Sequence, residues 1–107
     1  MTEVSIEITR FVDEEQPGFV ESVLIDAQGR SHTFVEKAPV VTGQQLRPDS
    51  KYPVAGFIAC VIEAELTDSS GRALASICTE RPCRLESTTG ETRFVVLASQ
   101  VTRVAAP

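Results

Sequence analysis

The chain lacks several features by which functional classes are recognised. It contains no tryptophan, a single histidine, His32, and three cysteines, Cys60, Cys78 and Cys83. Three cysteines are too few for a disulfide-stabilised scaffold, so we expect reduced thiols. No run of about eighteen apolar residues is present, which argues against a transmembrane helix. The opening MTEVSIEITR has neither the basic nor the apolar region of a signal peptide, and we expect a cytoplasmic protein.

Basic residues are also scarce, and the charge is unevenly placed. Ten lysines and arginines stand against fifteen acids, which gives a formal net charge of −5 at pH 7. Residues 1–26 hold seven acids and one base, whereas residues 27–107 hold eight acids and nine bases. A general nucleic-acid binder needs a basic face that neutralises phosphates. We therefore expect no nucleic-acid partner and, without an apolar span, no membrane partner.

Apolar and polar residues alternate through most of the chain. In VSIEITR, Val4, Ile6 and Ile8 share one face, which is the pattern of a half-buried strand. The same reasoning predicts strands at 18–27, 30–37, 56–68, 73–80, 83–87 and 92–101. Three glycine-closed turns are predicted at 26–29, 68–72 and 88–91. We interpret the proline-containing segment 38–53 as a long crossover, in which the pattern allows a short strand at 40–41 or one helical turn near 44–46.

Six or seven strands with almost no helical periodicity predict an all-β fold. We expect one antiparallel β-barrel domain over residues 1–107, because closure removes exposed strand edges; a β-sandwich is the alternative. In a closed barrel the last strand, within RFVVLASQV, pairs with the first, VSIEIT. We then expect mainly a monomer with weak formation of a homodimer, whereas an open barrel would allow two copies to pair through that apolar strand as a symmetric dimer.

Three stretches carry a resemblance to known proteins: ITRFVDEEQPGFVESVLIDAQGRSHTFVEKAPVV, YPVAGFIACVI and ETRFVVLASQ. Together they resemble a group of small stand-alone bacterial proteins. The resemblance implies a β-barrel of the kind found in the second domain of elongation factor Tu. It concerns architecture alone, since the matching motifs are structural and none of them is catalytic.

The thiols and the single histidine are the candidates for chemistry. Cys78 and Cys83, with Cys60 and His32, form a conceivable zinc ligand set. Cys60, however, lies on the apolar face of its strand, as a buried small hydrophobe would, and we expect no metal and no cofactor. Cys83 is flanked by arginines in RPCR, a setting that favours the thiolate. A thiol-dependent enzyme or redox sensor centred on Cys83 is therefore the alternative function.

Acidic residues gather around the first predicted hairpin, FVDEEQPGFVE. A solvated turn is the simpler interpretation of this run. Antiparallel pairing would, however, bring its acids to one side of the barrel together with those of the first strand. Such a field speeds the capture of a basic protein and repels nucleic acid. The predicted partner-binding residues are Glu3, Glu7, Asp13, Glu14, Glu15 and Glu21.

These observations favour a non-catalytic protein-binding module with an acidic N-terminal face. A small acidic bacterial domain of this kind would suit an immunity protein, which neutralises a basic toxin, often a nuclease, by occupying its substrate face. That role is a hypothesis, because adaptor barrels would have the same sequence pattern.

Overall fold

Seven antiparallel strands form one curled sheet, a half-barrel, in the computed structural model, which describes residues 2–13 and 18–103. A four-residue helix follows the third strand, and a short 3₁₀ helix, Ala98–Gln100, precedes the last. The predicted all-β class is confirmed. The elements are β1 (Thr2–Asp13), β2 (Phe19–Ile25), β3 (Ser31–Lys37), α1 (Ala38–Val41), β4 (Val54–Thr67), β5 (Ala73–Cys78), β6 (Arg93–Leu97) and β7 (Val101–Arg103).

The sheet has the order β3-β2-β1-β4-β5-β6, and β7 pairs with β1. One edge of β1 pairs with β4, and the other edge pairs with β7 over Thr2–Val4 and with β2 from Glu7 onward. The chain thus returns to its first strand, but only through the three residues of β7. The apolar β6, which the sequence predicts to pair with β1 as part of the last strand, remains at the end of the strand order, and in the described part of the chain no ladder between β3 and β6 closes the barrel.

The core lies on the concave side of the sheet, as the alternating pattern predicts. Val4, Ile6 and Ile8 of β1 are buried, and each is flanked by residues that face outward. The register between β1 and β2 shifts between Ile8 and Arg10. An extra residue at such a bulge reverses the alternation, which explains why Phe11 packs against the core.

The crossover between β3 and β4 differs from both sequence-based options. Residues 38–41 form α1, and the structure has neither a strand at 40–41 nor a helical turn at 44–46. Ala38 and Val41 of α1 are buried in the core, so local propensity gives way to tertiary packing. A Cβ atom added to Gly56 would lie 2.6 Å from the carbonyl oxygen of Val41. Glycine at this position lets α1 pack directly on β4.

The predicted strand at 83–87 is wrong. The backbone N–H of Leu85 donates to the carbonyl of Thr79, and the Thr79 hydroxyl donates to the carbonyl of Leu85. Arg84 has a φ of 54°, in the left-handed region. The segment is therefore a loop folded onto the end of β5, with the buried Leu85 as its anchor.

All three predicted turns are present, and they share one hydrogen-bond arrangement. In each five-residue turn the first backbone N–H donates to the carbonyl of the fifth residue, and the glycine N–H donates to the carbonyl of the first. The side-chain oxygen of the first residue accepts the N–H groups of the third and fifth. The glycines have φ values of 79°, 87° and 82°, a conformation that favours glycine. The turns span 26–30, 68–72 and 87–91.

None of the helices in the described part of the chain has the length and apolar character needed to cross a lipid bilayer.

Candidate functional site

Three of the predicted acidic residues lie on the outer face of the sheet. Glu3 and Glu7 alternate with buried residues of β1, and Glu21 alternates with buried residues of β2. Glu7 is opposite Val23 on β2, which confirms that the two strands pair antiparallel. The pairing therefore places these carboxylates on one surface.

Apolar side chains share this outer face with the acids. Val23 is opposite Glu7, Val35 is opposite Glu21, and Phe57 is opposite Ser5 on the next strand. Val35 is 40% exposed, and Phe57 and Val23 are half-buried although they point away from the core. We call this surface the docking face, defined by Glu3, Glu7, Glu21, Val23, Val35 and Phe57.

Glu21 is held by neighbours on the same face. Its carboxylate lies 3.0 Å from the Arg10 guanidinium and accepts the Thr9 hydroxyl at 2.9 Å. The Arg10 hydrogen bond, together with that of Thr9, lowers the pKa of Glu21 below its usual value. Glu21 is thus fixed in position, and Arg10 offsets its charge, so the net negative charge of the docking face comes from Glu3 and Glu7.

The acidic run that follows β1 is described only at its first residue. Asp13 ends β1, is exposed, and is opposite Phe19 on β2. Glu14 and Glu15 lie outside the described residues, so their assignment to the partner-binding surface stays a prediction.

The cysteines occupy two different settings. Cys60 and Cys78 are buried in β4 and β5, whereas Cys83 is exposed on the loop after β5. Burial raises the pKa of the Cys60 thiol to about 11, with smaller contributions from the charges of Glu3 and Cys78. Within residues 2–13 and 18–103, no three His, Cys, Asp or Glu side chains are grouped as a metal site would require. All three cysteines are free thiols.

A second candidate site lies where the two edge strands, β3 and β6, approach each other. The Ala27 N–H donates to the carbonyl of Val95, and the Thr88 N–H donates to the carbonyl of Thr33, both at 2.8 Å. The rings of His32 and Phe94 meet edge to face, with centroids 4.8 Å apart. Turns and side chains, rather than a strand ladder, therefore join these edges.

This junction leaves a cleft of about 430 Å³, a volume within the range of small-molecule sites. We call it the turn cleft. Residues from all three glycine turns line it: Asp26 and Arg30, then Asp68 and Arg72, then Glu91. The strands supply His32, Leu74, Arg93, Phe94 and Val95.

His32 joins two of these turns. Its Nε2 atom lies 2.8 Å from Oδ2 of Asp26, and its Nδ1 atom lies 3.3 Å from Oε2 of Glu91. Both nitrogens can donate only when the ring is protonated. Because carboxylates take both nitrogens, His32 is not placed to activate a cysteine.

Asp26 holds several donors at once. Burial raises the pKa of this carboxyl, but the His32 hydrogen bond and the N–H groups of Arg30 and Gln28 lower it by more, so that the net shift is downward. The second turn is tied to the first because Arg72 donates through Nη1 to the carbonyl of Ala27 at 3.1 Å. The rim of the turn cleft is therefore a connected hydrogen-bond network.

Sequence reasoning missed the turn cleft. The sequence pattern suggests His32 as a zinc ligand beside the cysteines, while its actual neighbours, Phe94 and Glu91, are distant along the chain. One signal was available: DAQGR at 26–30 and DSSGR at 68–72 repeat the pattern D-x-x-G-R. No family model, curated protein or solved structure matches the chain.

Proposed function

We propose that this chain is a non-catalytic protein-binding domain that captures a basic protein on its docking face. The observation that carries the proposal is the mixture of apolar and acidic side chains on the outer face of β1, β2, β3 and β4. Apolar area supplies the affinity of a protein interface, whereas charge sets the rate of encounter and the choice of partner.

The apolar part of the docking face has the composition of an interface core. Phe57 is on a central strand, and aromatic residues are enriched where proteins bind each other. Val23 is the cross-strand neighbour of Glu7, and Val35 is that of Glu21, so apolar and acidic groups alternate across the strands. Val35 is 40% exposed, so no helix or loop in the described part of the chain covers it.

The acidic part selects the partner's charge. Glu3 and Glu7 have no cationic partner among the described residues, in contrast to Glu21, which has Arg10. Burying an unpaired carboxylate against an apolar partner would be costly, so the partner must supply cations. A basic protein surface, such as that of a nuclease toxin, meets this requirement, and neutralising such a toxin is the specific role we propose.

The test compares two variants of equal charge change. Glu3→Lys/Glu7→Lys reverses the docking-face charge, and Asp49→Lys/Glu80→Lys reverses two exposed acids outside it. A basic partner identified with the wild-type chain should be released by moderate salt and should bind the first variant at least about tenfold more weakly, because each lost charged contact costs about 1 kcal/mol or more. The control variant should bind like the wild type.

Two results would contradict the proposal: an acidic partner, or equal losses in both variants. A gene for a basic toxin next to the gene for this chain would support the immunity role specifically. If no genome has a toxin gene at that position, the immunity role would be rejected, and the proposal would be restricted to a basic partner that is not a toxin.

A thiol-dependent function at Cys83 is the second candidate. It is favoured by the exposure of Cys83 on the loop that Leu85 anchors, while the other two cysteines are buried. A reaction rate with iodoacetamide well above that of a simple thiol, and lost on Cys83→Ser, would support this candidate over the docking role.

A further inference from the structure

The charged groups of the turn cleft differ in how many of their hydrogen-bonding positions are already occupied by other groups of the protein. Two carboxylates on its rim, those of Asp26 and Asp68, already accept several hydrogen bonds from the protein itself, while Glu91 accepts the Thr89 hydroxyl at 3.4 Å and lies 3.3 Å from His32. Asp68 accepts the N–H groups of Ser70 and Arg72, the Ser70 hydroxyl and the Arg72 guanidinium. Asp26 accepts two turn N–H groups and faces His32. These acceptors have little capacity left for a ligand.

The guanidinium groups retain free donors. Arg72 is anchored through Nε to Asp68 at 2.7 Å and through Nη1 to a carbonyl at 3.1 Å, so that within the described structure its Nη2 atom makes no hydrogen bond. Arg93 is anchored through Nε alone, to Glu63 at 3.0 Å. Anchoring at Nε fixes the plane of each group and leaves Nη2 of Arg72 and both terminal nitrogens of Arg93 for another acceptor.

Arg30 adds a third cation. Its backbone closes the first turn, but its guanidinium has no hydrogen-bond or ion-pair partner among residues 2–13 and 18–103. The cleft therefore has a surplus of donors over acceptors. Guanidinium groups match carboxylate and phosphate groups, which accept two parallel hydrogen bonds from them.

Apolar side chains form part of the cleft wall. Leu74 is half-buried and Val95 is 40% exposed, while Phe94 lies buried beside the ring of His32. Small-molecule sites typically combine such apolar walls with a few convergent polar groups. The cleft thus provides surface for an apolar body as well as donors for an anion.

We propose that the turn cleft binds a small organic anion, a molecule with a carboxylate or phosphate group on an apolar body. The anionic group contacts Arg30, Arg72 and Arg93, and the apolar body packs against Leu74 and Val95. The inference uses none of the residues of the docking face, and it stands or falls independently of the proposed protein-binding role.

Phenyl phosphate is a suitable probe, and it can be titrated into the isotope-labelled protein at low ionic strength while backbone amide signals are recorded. We expect shifts at Gly29, Arg72 and Phe94. Inorganic phosphate should bind more weakly because it lacks the apolar body, and phenol should bind more weakly because it lacks the charge.

Matched arginine variants test the assignment. Arg30→Gln, which removes no internal bond, should weaken phenyl phosphate binding about tenfold, as loss of a charge-assisted hydrogen bond does. Arg72→Gln should do the same, and its fold can be checked from the unperturbed amide spectrum. Arg47→Gln, at an exposed arginine outside the cleft, should leave binding unchanged.

Three outcomes would overturn the inference. The first is the absence of amide shifts in the cleft at millimolar phenyl phosphate. The second is equal weakening by Arg47→Gln, which would indicate attraction without a site. The third is equal affinity for inorganic phosphate, which would remove the role of the apolar wall.

Discussion

Asp26 opens the first glycine turn and contacts His32 just beyond that turn, with Oδ2 of the aspartate 2.8 Å from Nε2 of the histidine. Both side chains are largely shielded from solvent, at 13% and 15% exposure. The contact connects β2 to β3 at the end where the half-barrel approaches β6. We infer that it stabilises the junction between the two edge strands.

Replacing His32 by Gln should therefore lower the free energy of unfolding by about 1–2 kcal/mol, because a charge-assisted hydrogen bond in a shielded setting is lost. Urea denaturation measures this change. In a double-mutant cycle with Asp26→Asn, the loss of unfolding free energy in the double variant should be smaller than the sum of the losses in the two single variants. Strict additivity would show that the contact does not contribute.

Ser22 should be replaceable with a gain in stability. It is 1% exposed, and its hydroxyl has no hydrogen-bond partner within the described structure. A buried hydroxyl without a partner carries a desolvation cost, so Ser22→Ala should raise the free energy of unfolding by about 0.5–1 kcal/mol. Ser5→Ala, the same change on the outward face of β1, should have almost no effect. A loss of stability in Ser22→Ala would contradict this account.

Glu36 should make stability depend on pH in a specific direction. Burial raises the pKa of this carboxyl, and the negative charge of Glu86 raises it further. A carboxyl with a raised pKa in the folded state favours folding while protonated, and that contribution is lost as the pH rises from the ordinary value, about 4.3, through the raised one.

Glu36→Gln should consequently be more stable than the wild type at pH 7, by about 0.5 kcal/mol, and should lose this advantage below about pH 4. Thermal unfolding at several pH values measures the difference. Glu80→Gln, at an exposed position, serves as the control. A variant less stable than the wild type at neutral pH would show that Glu36 makes a favourable charged contact.

Thiol alkylation should distinguish the three cysteines. Cys83 is exposed, whereas Cys60 and Cys78 are buried, and the pKa of Cys60 is raised to about 11. At pH 8 iodoacetamide should add one group to the native protein, and mass spectrometry should locate it on Cys83. Denatured protein should take up three. Modification of Cys60 in the native state would indicate that the sheet opens between β4 and β5.

Self-association should be weak. β6 is an edge strand and Val95 is 40% exposed, but the Val95 carbonyl already accepts the Ala27 N–H at 2.8 Å. The first turn thus occupies part of the edge that a second copy would need. Sedimentation at rising concentration should show mainly monomer. A tight dimer that Val95→Lys dissociates without unfolding would contradict this expectation.

The sequence predicts the parts of the fold that depend on local alternation. Val4, Ile6 and Ile8 face the core as expected, and the glycine turns close where expected. The errors arise where distant contacts decide: α1 forms because its apolar residues pack on β4, and residues 83–87 form a loop because Leu85 bonds back to Thr79. The implied likeness to the second domain of elongation factor Tu stays a prediction.

The candidate sites, like the fold, have parts that the sequence predicts and parts that depend on distant contacts. Strand alternation is enough to place Glu3 and Glu7 on one face. It cannot show that Arg10 offsets the charge of Glu21, because that pair depends on the register after a bulge. Strand alternation also cannot locate the turn cleft. The cleft forms where β6 lies beside β3, and no ladder of hydrogen bonds joins these two strands in the described structure.

In the three glycine turns, the groups that hold the turn together differ from the side chains that face solvent at the rim of the cleft. The shared hydrogen bonds of each turn use backbone groups and the side chain of the first residue alone, whereas the side chains of positions such as Gln28 and Ser69 are exposed and take no part in them. Substitutions at these tips would change the size and polarity of the rim while the half-barrel stays intact. Related chains with the same turns could in this way diverge in ligand preference without any change of scaffold.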